Sequence, residues 1–159
     1  MTNINESLEI AAKLMISLHS GQTDKSGEPY FLHPMRVASA LYPNKKAMIV
    51  GLLHDVIEDC DISLERLKLL DFDQEIIDAI DSVSIRKDEN YAEFIYRACQ
   101  NKIGILVKYL DILDNSRTER LAKLDLATQQ RLCAKYGTGL RIIREFQQNS
   151  KHFAHSLHC

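Results

Sequence analysis

The distribution of proline is the feature of this sequence that most constrains its fold. The three prolines are Pro29, Pro34 and Pro43, and none follows Pro43 in a chain of 159 residues. Proline interrupts helix interiors, so its absence from most of the chain leaves long helices possible. The chain has only six glycines, too few for a turn-rich β protein. We therefore predict an all-α, single-domain helical bundle with one irregular segment near its beginning.

Hydrophobic periodicity divides the chain into helices. The spacing predicts a helix that follows Asn5 and ends just before Gly21, and further helices over residues 34–41, 44–59, 63–70, 73–83, 90–100, 103–113, 124–136 and 140–152. An irregular loop over residues 23–30 separates the first two helices, and Gly137 and Gly139 are expected to divide the last two. We expect one folded domain over residues 1–150 and a histidine-rich C-terminal tail over residues 151–159.

The charge balance excludes a strongly basic protein. There are 20 Lys and Arg residues against 22 Asp and Glu residues, for a net charge of -2. No global positive field attracts nucleic acid or an anionic membrane, so phosphate binding must be local. The longest apolar run, residues 47–53, is far shorter than the roughly 20 residues of a membrane span, and the N-terminus lacks the features of a secretory signal. We expect a cytoplasmic monomer or homodimer without nucleic-acid or membrane partners.

A histidine and an aspartate occur together in an otherwise apolar helix. His54 and Asp55 follow Leu52 and Leu53 directly, where unpaired polar groups would be costly to bury. The residues four positions further on, Glu58 and Asp59, are both acids, so four polar groups share one side of this helix. A lone buried histidine is more often a hydrogen-bonded core residue. This cluster also suits metal ligands with a neighbouring acid and base.

A second helix carries another acid among apolar neighbours. Asp111 has Lys108 three positions before it and Asn115 four positions after it. A buried carboxylate needs a compensating cation, which is either Lys108 or a metal ion. Together with His33 from the loop and the His-Asp pair, Asp111 would complete a set of two imidazoles and two carboxylates. Such a set suits Mn²⁺ or Fe²⁺ and also accepts Zn²⁺, although the spacing matches no short local metal motif.

The order of these motifs resembles the HD-domain metal-dependent phosphohydrolase superfamily. Three segments carry the closer likeness: HSGQTDKSGEPYFLHP (19–34), LLHDVIED (52–59) and VKYLDILDNSRT (107–118). They are similar to the hydrolase domain of Rel/Spo-type stringent-response enzymes and to stand-alone small alarmone hydrolases, including the metazoan SpoT homologue. The resemblance implies an HD-type bundle over residues 1–150. The chain has no room for the synthetase and regulatory domains of the long enzymes, so we expect a stand-alone hydrolase.

The resemblance also implies the site residues. Its metal ligands would be His33, His54, Asp55 and Asp111, holding one Mn²⁺ ion, and Glu58 and Asp59 would activate or orient the attacking water. The implied substrate contacts are Lys25 and Ser26 in the nucleotide loop, Asn115 and Thr118 near the sugar, Arg86 or Lys87 near the 5′ phosphates, and Arg131 and Tyr136. For Arg86 and Lys87 the alternative is a solvated loop. His19 is expected to support the nucleotide loop, and Tyr30 to be a core residue.

The reaction implied is Mn-dependent removal of pyrophosphate from the 3′ position of a ppGpp-like alarmone. The alternatives are an HD phosphatase acting on another nucleotide, such as the 2′-phosphate of NADPH, a 3′-nucleotide or an adenine alarmone, and a non-catalytic nucleotide-sensing module. One position departs from the resemblance. Asp24 stands where the long enzymes typically have an arginine that stacks on guanine. We expect Asp24 to lie beside the nucleotide, to repel phosphate and to leave base discrimination weak.

Overall fold

The computed structural model describes residues 3–156, and the side chains of residues 3–150. The helices of this range are α1 (Ile4–Leu18), α2 (Leu32–Ala40), α3 (Lys45–Leu53), α4 (Val56–Asp59), α5 (Leu64–Lys68), α6 (Gln74–Val83), α7 (Tyr91–Cys99), α8 (Lys102–Asn115), α9 (Thr118–Leu121) and α10 (Leu126–Ser156). Within it there is no strand, only one isolated bridge between Thr23 and Pro29. The all-α prediction is confirmed.

Helix α3 lies at the centre of the main hydrophobic core. Its sequence is apolar on every side, as expected for a helix surrounded by others, and it packs against α1, α2, α6 and α8. Gly51 allows α2 to approach closely, because a Cβ atom there would lie 3.2 Å from the Cα of Ala38. Burial of each large side chain of α3, such as Ile49 or Leu53, contributes about 1.5–3 kcal/mol.

A second hydrophobic cluster forms between α7, α8 and α10. It contains Phe94, Ile95, Cys99, Ile112 and Ile143. Helix α8 belongs to both clusters, because Ile103 and Val107 face the main core while Ile112 faces the second one. This double burial holds α8 in a fixed position and orientation.

The predicted break at Gly137 and Gly139 is wrong, because α10 is continuous through both. Neither glycine has a positive φ, and Gly139 faces the Tyr91 hydroxyl and Ile112, where a Cβ atom would lie 2.7 Å from both side chains. Close packing, rather than chain reversal, explains this glycine. The packing of α10 against α7 and α8 outweighs the loss of about 1 kcal/mol that each helical glycine brings.

Two other helix boundaries differ from the prediction. The predicted helix over residues 44–59 is divided, because α3 ends at Leu53 and α4 begins at Val56, which leaves His54 and Asp55 in the intervening turn. The short helix α9 was not predicted, since four residues are too few to show a period. No helix in the described part of the chain combines the length and apolar character needed to cross a bilayer. The expected tail, residues 151–159, lies outside the residues whose side chains are described.

Candidate metal centre and substrate cavity

Three different helices bring the central side chains together. His33 lies in the first turn of α2, His54 directly follows α3, and Asp111 lies in α8. All three residues are buried, and a ligand atom from each lies within 4.8 Å of the other two. The packing of α2 and α3 against each other and against α8 therefore assembles the cluster.

The outer nitrogen of each imidazole is already engaged. His54 Nδ1 lies 2.8 Å from the carbonyl oxygen of Gly51, and His33 Nδ1 lies 2.7 Å from Asp114 Oδ2. Because both partners are acceptors, both Nδ1 atoms donate, and in the neutral rings both Nε2 atoms carry lone pairs. These Nε2 atoms lie 3.2 Å apart in a buried space. Two lone pairs facing each other at this distance need either a proton or a metal cation between or beside them.

Two carboxylates complete the cluster. Asp111 Oδ1 lies 3.1 Å from His33 Nε2, and Asp55 Oδ2 lies 3.1 Å from His54 Nε2; each is 3.6 Å from the other imidazole. An ion with ligands at about 2.1 Å separates adjacent ligand atoms by about 3.0–3.4 Å. The ligand atoms of His33, His54 and Asp111 therefore form a mutually close group that could hold one divalent ion, with the carboxylate of Asp55 beside it. Mixed nitrogen and oxygen donors suit Mn²⁺, Fe²⁺ or Zn²⁺.

The ionisation of these groups reflects their mutual compensation. Burial lowers the pKa of His54, but the carboxylates of Asp55 and Asp111 outweigh it and hold this pKa well above its ordinary value. Burial raises the pKa of Asp111, but Lys108 and the two imidazoles outweigh it and hold this pKa well below its usual range. Without an ion, protons on the imidazoles therefore balance the carboxylates. A bound cation would take over that compensation.

The two acids of α4 lie beside this cluster. Glu58 Oε1 accepts a hydrogen bond of 2.7 Å from the amide of Ile85, and burial raises the pKa of this carboxyl, with Asp55 and Asp59 adding to the shift. The Tyr30 hydroxyl lies 2.7 Å from Asp55 Oδ2 and 2.9 Å from Asp59 Oδ2. Tyr30 is therefore not simply a core residue, because its single hydroxyl links a candidate ligand to a candidate acid.

His19 supports this arrangement from behind, in agreement with its prediction. Its buried ring lies 4.8 Å from the ring of Tyr30, and its Nδ1 is hydrogen-bonded to Gln22 Oε1 at 2.8 Å. Gln22 directly precedes the irregular loop over residues 23–30. His19 thus fixes both Tyr30 and the start of the loop, and the structure gives it no place among the metal-binding atoms.

A polar cavity of about 400 Å³ opens over the cluster. Its acidic residues are Asp55, Glu58, Asp59 and Asp111, and its basic residues are Lys25, Lys108, Arg120 and Lys135. Lys108 donates to Asp111 Oδ2 at 2.8 Å, which provides the cation that the sequence requires for this carboxylate. The basic side chains on the walls make the cavity a suitable site for an anion, although the net charge of the chain is negative.

The predicted substrate contacts are only partly found around this cavity. Lys25, Asn115 and Tyr136 line it. Ser26 lines a smaller adjoining cavity, where its hydroxyl donates to Asp24, and Thr118 is exposed at the start of α9.

Three predicted basic contacts lie elsewhere. Arg86 lies 2.9 Å from Asp81, and Lys87 is exposed in the same loop. Arg131 is exposed and does not line the cavity, although Lys135, one helical turn further on, does.

Two basic residues of the cavity, Arg120 and Lys135, are not predicted from the sequence. Lys135 lies three positions after Leu132 and therefore on the same side of α10, which is the signal that could have identified it. Its Nζ lies 4.8 Å above the ring of Tyr91. Arg120 projects from the short helix α9, which no periodicity reveals.

Asp24 does not line this main cavity. Its side chain is 5% exposed, and its Oδ1 accepts hydrogen bonds from the amide and hydroxyl of Ser26 and from the amide of Glu28, at 2.7–3.1 Å. Its Oδ2 lies 3.3 Å from Nε of Arg120. The orientation expected for Asp24, toward the substrate cavity, is therefore not found. The carboxylate is turned inward, where it holds the loop together.

Comparison with known proteins gives results that agree with this geometry. Residues 11–100 match the protein family described as HD domain. The chain is 32% identical over 158 residues to a guanosine-3′,5′-bis(diphosphate) 3′-pyrophosphohydrolase of Borreliella burgdorferi, a match that covers 85% of this chain and 23% of that protein. A protein of the same name from Vibrio cholerae is 37% identical over 114 residues, which cover 63% of this chain and 16% of that protein. The chain thus spans less than a quarter of the length of these relatives.

A solved structure has a similar fold over nearly the whole chain. It is described as a metazoan ortholog of SpoT that hydrolyzes ppGpp and plays a role in starvation responses. The TM-score is 0.75 at 21% sequence identity, and the match covers 91% of this chain and 89% of that chain. At this identity, the likeness establishes the fold.

Proposed function

Because the chain belongs to the HD domain family, we propose that it is a metal-dependent 3′-pyrophosphohydrolase that acts on ppGpp-like alarmone nucleotides. The names of its bacterial relatives support this reaction class. The observation that carries the proposal is the pair of imidazole Nε2 atoms 3.2 Å apart, flanked by two carboxylates at the base of a cavity with basic walls. A nucleotide substrate of this kind favours a cytoplasmic location.

In this proposal His33, His54, Asp55 and Asp111 hold one divalent ion, which we take to be Mn²⁺. When bound, such an ion supplies the positive charge that allows water to attack an anionic phosphorus centre. The protein contributes the orientation of these four ligands. Asp114 fixes the ring of His33, so the donor atoms are in place before an ion arrives.

Glu58 is the proposed proton-transfer group. It lies at the edge of the cluster, and its pKa is raised toward neutral pH relative to that of an exposed glutamate. The Ile85 amide holds one carboxylate oxygen, which leaves the other free to exchange a proton with water or with the leaving diphosphate. Asp59 lies on the other side of Tyr30, whose hydroxyl fixes the relative positions of Asp59 and Asp55.

Basic residues on the walls would receive the phosphate charge. Lys108 stands closest to the cluster, bonded to Asp111, and Lys25 and Lys135 line the same cavity without a carboxylate partner among the described residues. The charge of an uncompensated lysine in a cavity is available to an anionic ligand. This distribution favours a substrate that carries several phosphates over one that carries a single phosphate group.

The decisive experiment is a substrate panel on metal-reconstituted protein, with released phosphate and pyrophosphate measured separately. The panel contains guanosine 3′,5′-bis(diphosphate), its adenine counterpart, a 3′-nucleotide and NADPH. We expect pyrophosphate from the alarmones. Release of phosphate alone from NADPH or the 3′-nucleotide would indicate another HD phosphatase. Binding without turnover of any compound would indicate a sensing module.

Variants assign the roles of the residues. Glu58→Gln should retain metal and bind substrate while turnover falls by about 10²–10⁴-fold, the usual range for a lost acid or base group. His54→Ala should lose both turnover and the bound metal. Glu9→Gln, in the exposed part of α1, is the control and should behave as wild type. Near-normal turnover by Glu58→Gln would remove this residue from the mechanism.

A further inference from the structure

The guanidinium of Arg120 is held rigidly in the wall of the cavity. Its side chain is only 15% exposed, although α9 lies near the surface. Nε lies 3.3 Å from Asp24 Oδ2, and Nη1 donates a hydrogen bond to Asn115 Oδ1. Nη2 donates no hydrogen bond within the described part of the chain. Nε and Nη1 are thus engaged, while Nη2 and the planar face of the group remain available to a ligand.

The partner of Arg120 is itself fixed. Asp24 accepts hydrogen bonds from the Ser26 amide, the Ser26 hydroxyl and the Glu28 amide. Its carboxylate therefore cannot rotate away from Arg120 without breaking these hydrogen bonds within the loop. A second ion pair, Lys123 to Glu28 at 2.8 Å, also joins the loop to the chain just after α9. The guanidinium is therefore preorganised, and a ligand that contacts it does not have to order a flexible arginine.

The charge of Arg120 distinguishes it from the lysines of the cavity. Asp24 compensates the guanidinium, whereas Lys25 and Lys135 have no carboxylate partner among the described residues. A phosphate is attracted most strongly to an uncompensated cation. A compensated guanidinium keeps its planar face and its remaining N–H groups, which suit stacking on an aromatic ring and hydrogen bonds to its edge.

The position of Arg120 also fits the nucleoside end of a substrate. The Asn115 amide lies between Asp111 and Arg120, donating to the first and accepting from the second. Arg120 is therefore separated from the proposed ion by two side chains, Asn115 and Asp111. Leu124, Leu132 and Tyr136 line the same cavity, and they provide the apolar and aromatic surface that a base requires and a phosphate does not.

We propose that Arg120 is a specificity-determining residue that contacts the base of the nucleotide, with Asp24 as its positioning residue. This inference rests on the proposed function, because it places the phosphates at the metal-binding end of the cavity. It also replaces the expectation of weak base discrimination, since a guanidinium reaches the cavity from α9 instead of from the loop.

The test is calorimetric binding to metal-reconstituted protein, with guanosine 5′-diphosphate and inorganic pyrophosphate as the two probes. Arg120→Met should weaken binding of guanosine 5′-diphosphate by about tenfold, the size of effect expected for a lost guanidinium–ring contact. It should change pyrophosphate binding by less than twofold. Lys123→Met is the matched control, because it breaks the other ion pair to the loop outside the main cavity, and it should leave both affinities unchanged.

Arg120→Lys separates charge from shape and also serves if the methionine variant does not fold. It retains the charge but not the planar group, so we expect it to recover only a small part of the lost affinity. Equal weakening of both probes by Arg120→Met would identify a phosphate contact and overturn the proposal. Unchanged affinity for guanosine 5′-diphosphate would overturn it as well.

The failure of this inference is distinguishable from the failure of the proposed function. If wild-type protein hydrolyses no alarmone but binds guanosine 5′-diphosphate in a manner that depends on Arg120, the function fails and the base contact stands. If it hydrolyses the alarmone and Arg120→Met has wild-type affinity and KM, the function stands and the base contact fails.

Discussion

Substitution of Lys108 by methionine should reveal how much of the stability of the metal-free protein depends on the candidate site. Lys108 Nζ lies 2.8 Å from Asp111 Oδ2, and the two side chains are only 9% and 7% exposed. The ammonium group also lies 4.5 Å above the ring of Phe94. Methionine keeps the length of the aliphatic chain and its packing, so the substitution removes mainly the charge and leaves the carboxylate without this partner.

The expected loss follows from the burial of the pair. Removal of one partner from a buried ion pair typically costs about 3–5 kcal/mol, because the other charge remains in a poorly solvated place. Asp111 keeps its contacts with His33 and Asn115, so we expect the lower end, about 3 kcal/mol. A divalent ion ligated by Asp111 would replace the missing positive charge. Saturating Mn²⁺ should therefore reduce this loss by more than half.

The assay is urea unfolding of both proteins, once with a chelator and once with saturating Mn²⁺. Lys46→Met is the matched control, because Lys46 Nζ makes similar contacts of 2.9 and 2.7 Å with Asp73 and Glu75 but lies at the surface. It should unfold at the wild-type urea concentration. A loss below about 1 kcal/mol for Lys108→Met in chelator would refute the assignment of a buried, energetically important pair. An equal loss with Mn²⁺ would refute the placement of the ion beside Asp111.

Two further predictions concern protons and packing. Mn²⁺ affinity should rise with pH, because His33 and His54 must release protons to bind an ion and both have raised pKa values. These protons stabilise the metal-free protein fully below the ordinary histidine pKa, and that stabilisation is lost as pH rises through the raised pKa values. A Mn²⁺ dissociation constant that does not change between about pH 6 and 9 would contradict this prediction. Gly137→Ala should stabilise α10 by up to about 1 kcal/mol, since nothing lies within 4 Å of the added carbon. Gly139→Ala should destabilise by about 1–3 kcal/mol, because the added carbon would lie 2.7 Å from the Tyr91 hydroxyl, and equal urea midpoints for the two variants would refute that packing.

Much of the fold could be predicted because proline, glycine and periodicity act locally. The helices that the periodicity predicts most clearly, such as Ile4–Leu18 and Gln74–Val83, lie within two residues of their predicted bounds. Local signals failed where tertiary packing decides the outcome. At Gly139, the approach of Tyr91 explains the glycine, and no local pattern distinguishes that cause from a helix end.

The candidate site shows the same division. The convergence of His33, His54 and Asp111 could be anticipated because polar groups in apolar helices need partners. The inward orientation of Asp24 could not, because it depends on Arg120, whose distance from it along the chain carries no periodic signal. The resemblance predicts a position beside the substrate for Asp24, because it stands where the long enzymes have an arginine, whereas in the structure its carboxylate pairs with Arg120.

The position of α8 between the two hydrophobic clusters has a consequence for exchange kinetics. An element anchored on one side can detach by local opening, but α8 contacts both clusters, so it can leave only when both are disrupted. Amide hydrogens in the middle of α8 should then exchange only through global unfolding, and their protection factors should increase when metal binds. A metal ion bound by Asp111 would thus stabilise the helix whose opening requires global unfolding, so that metal binding at one residue should slow exchange in both hydrophobic clusters.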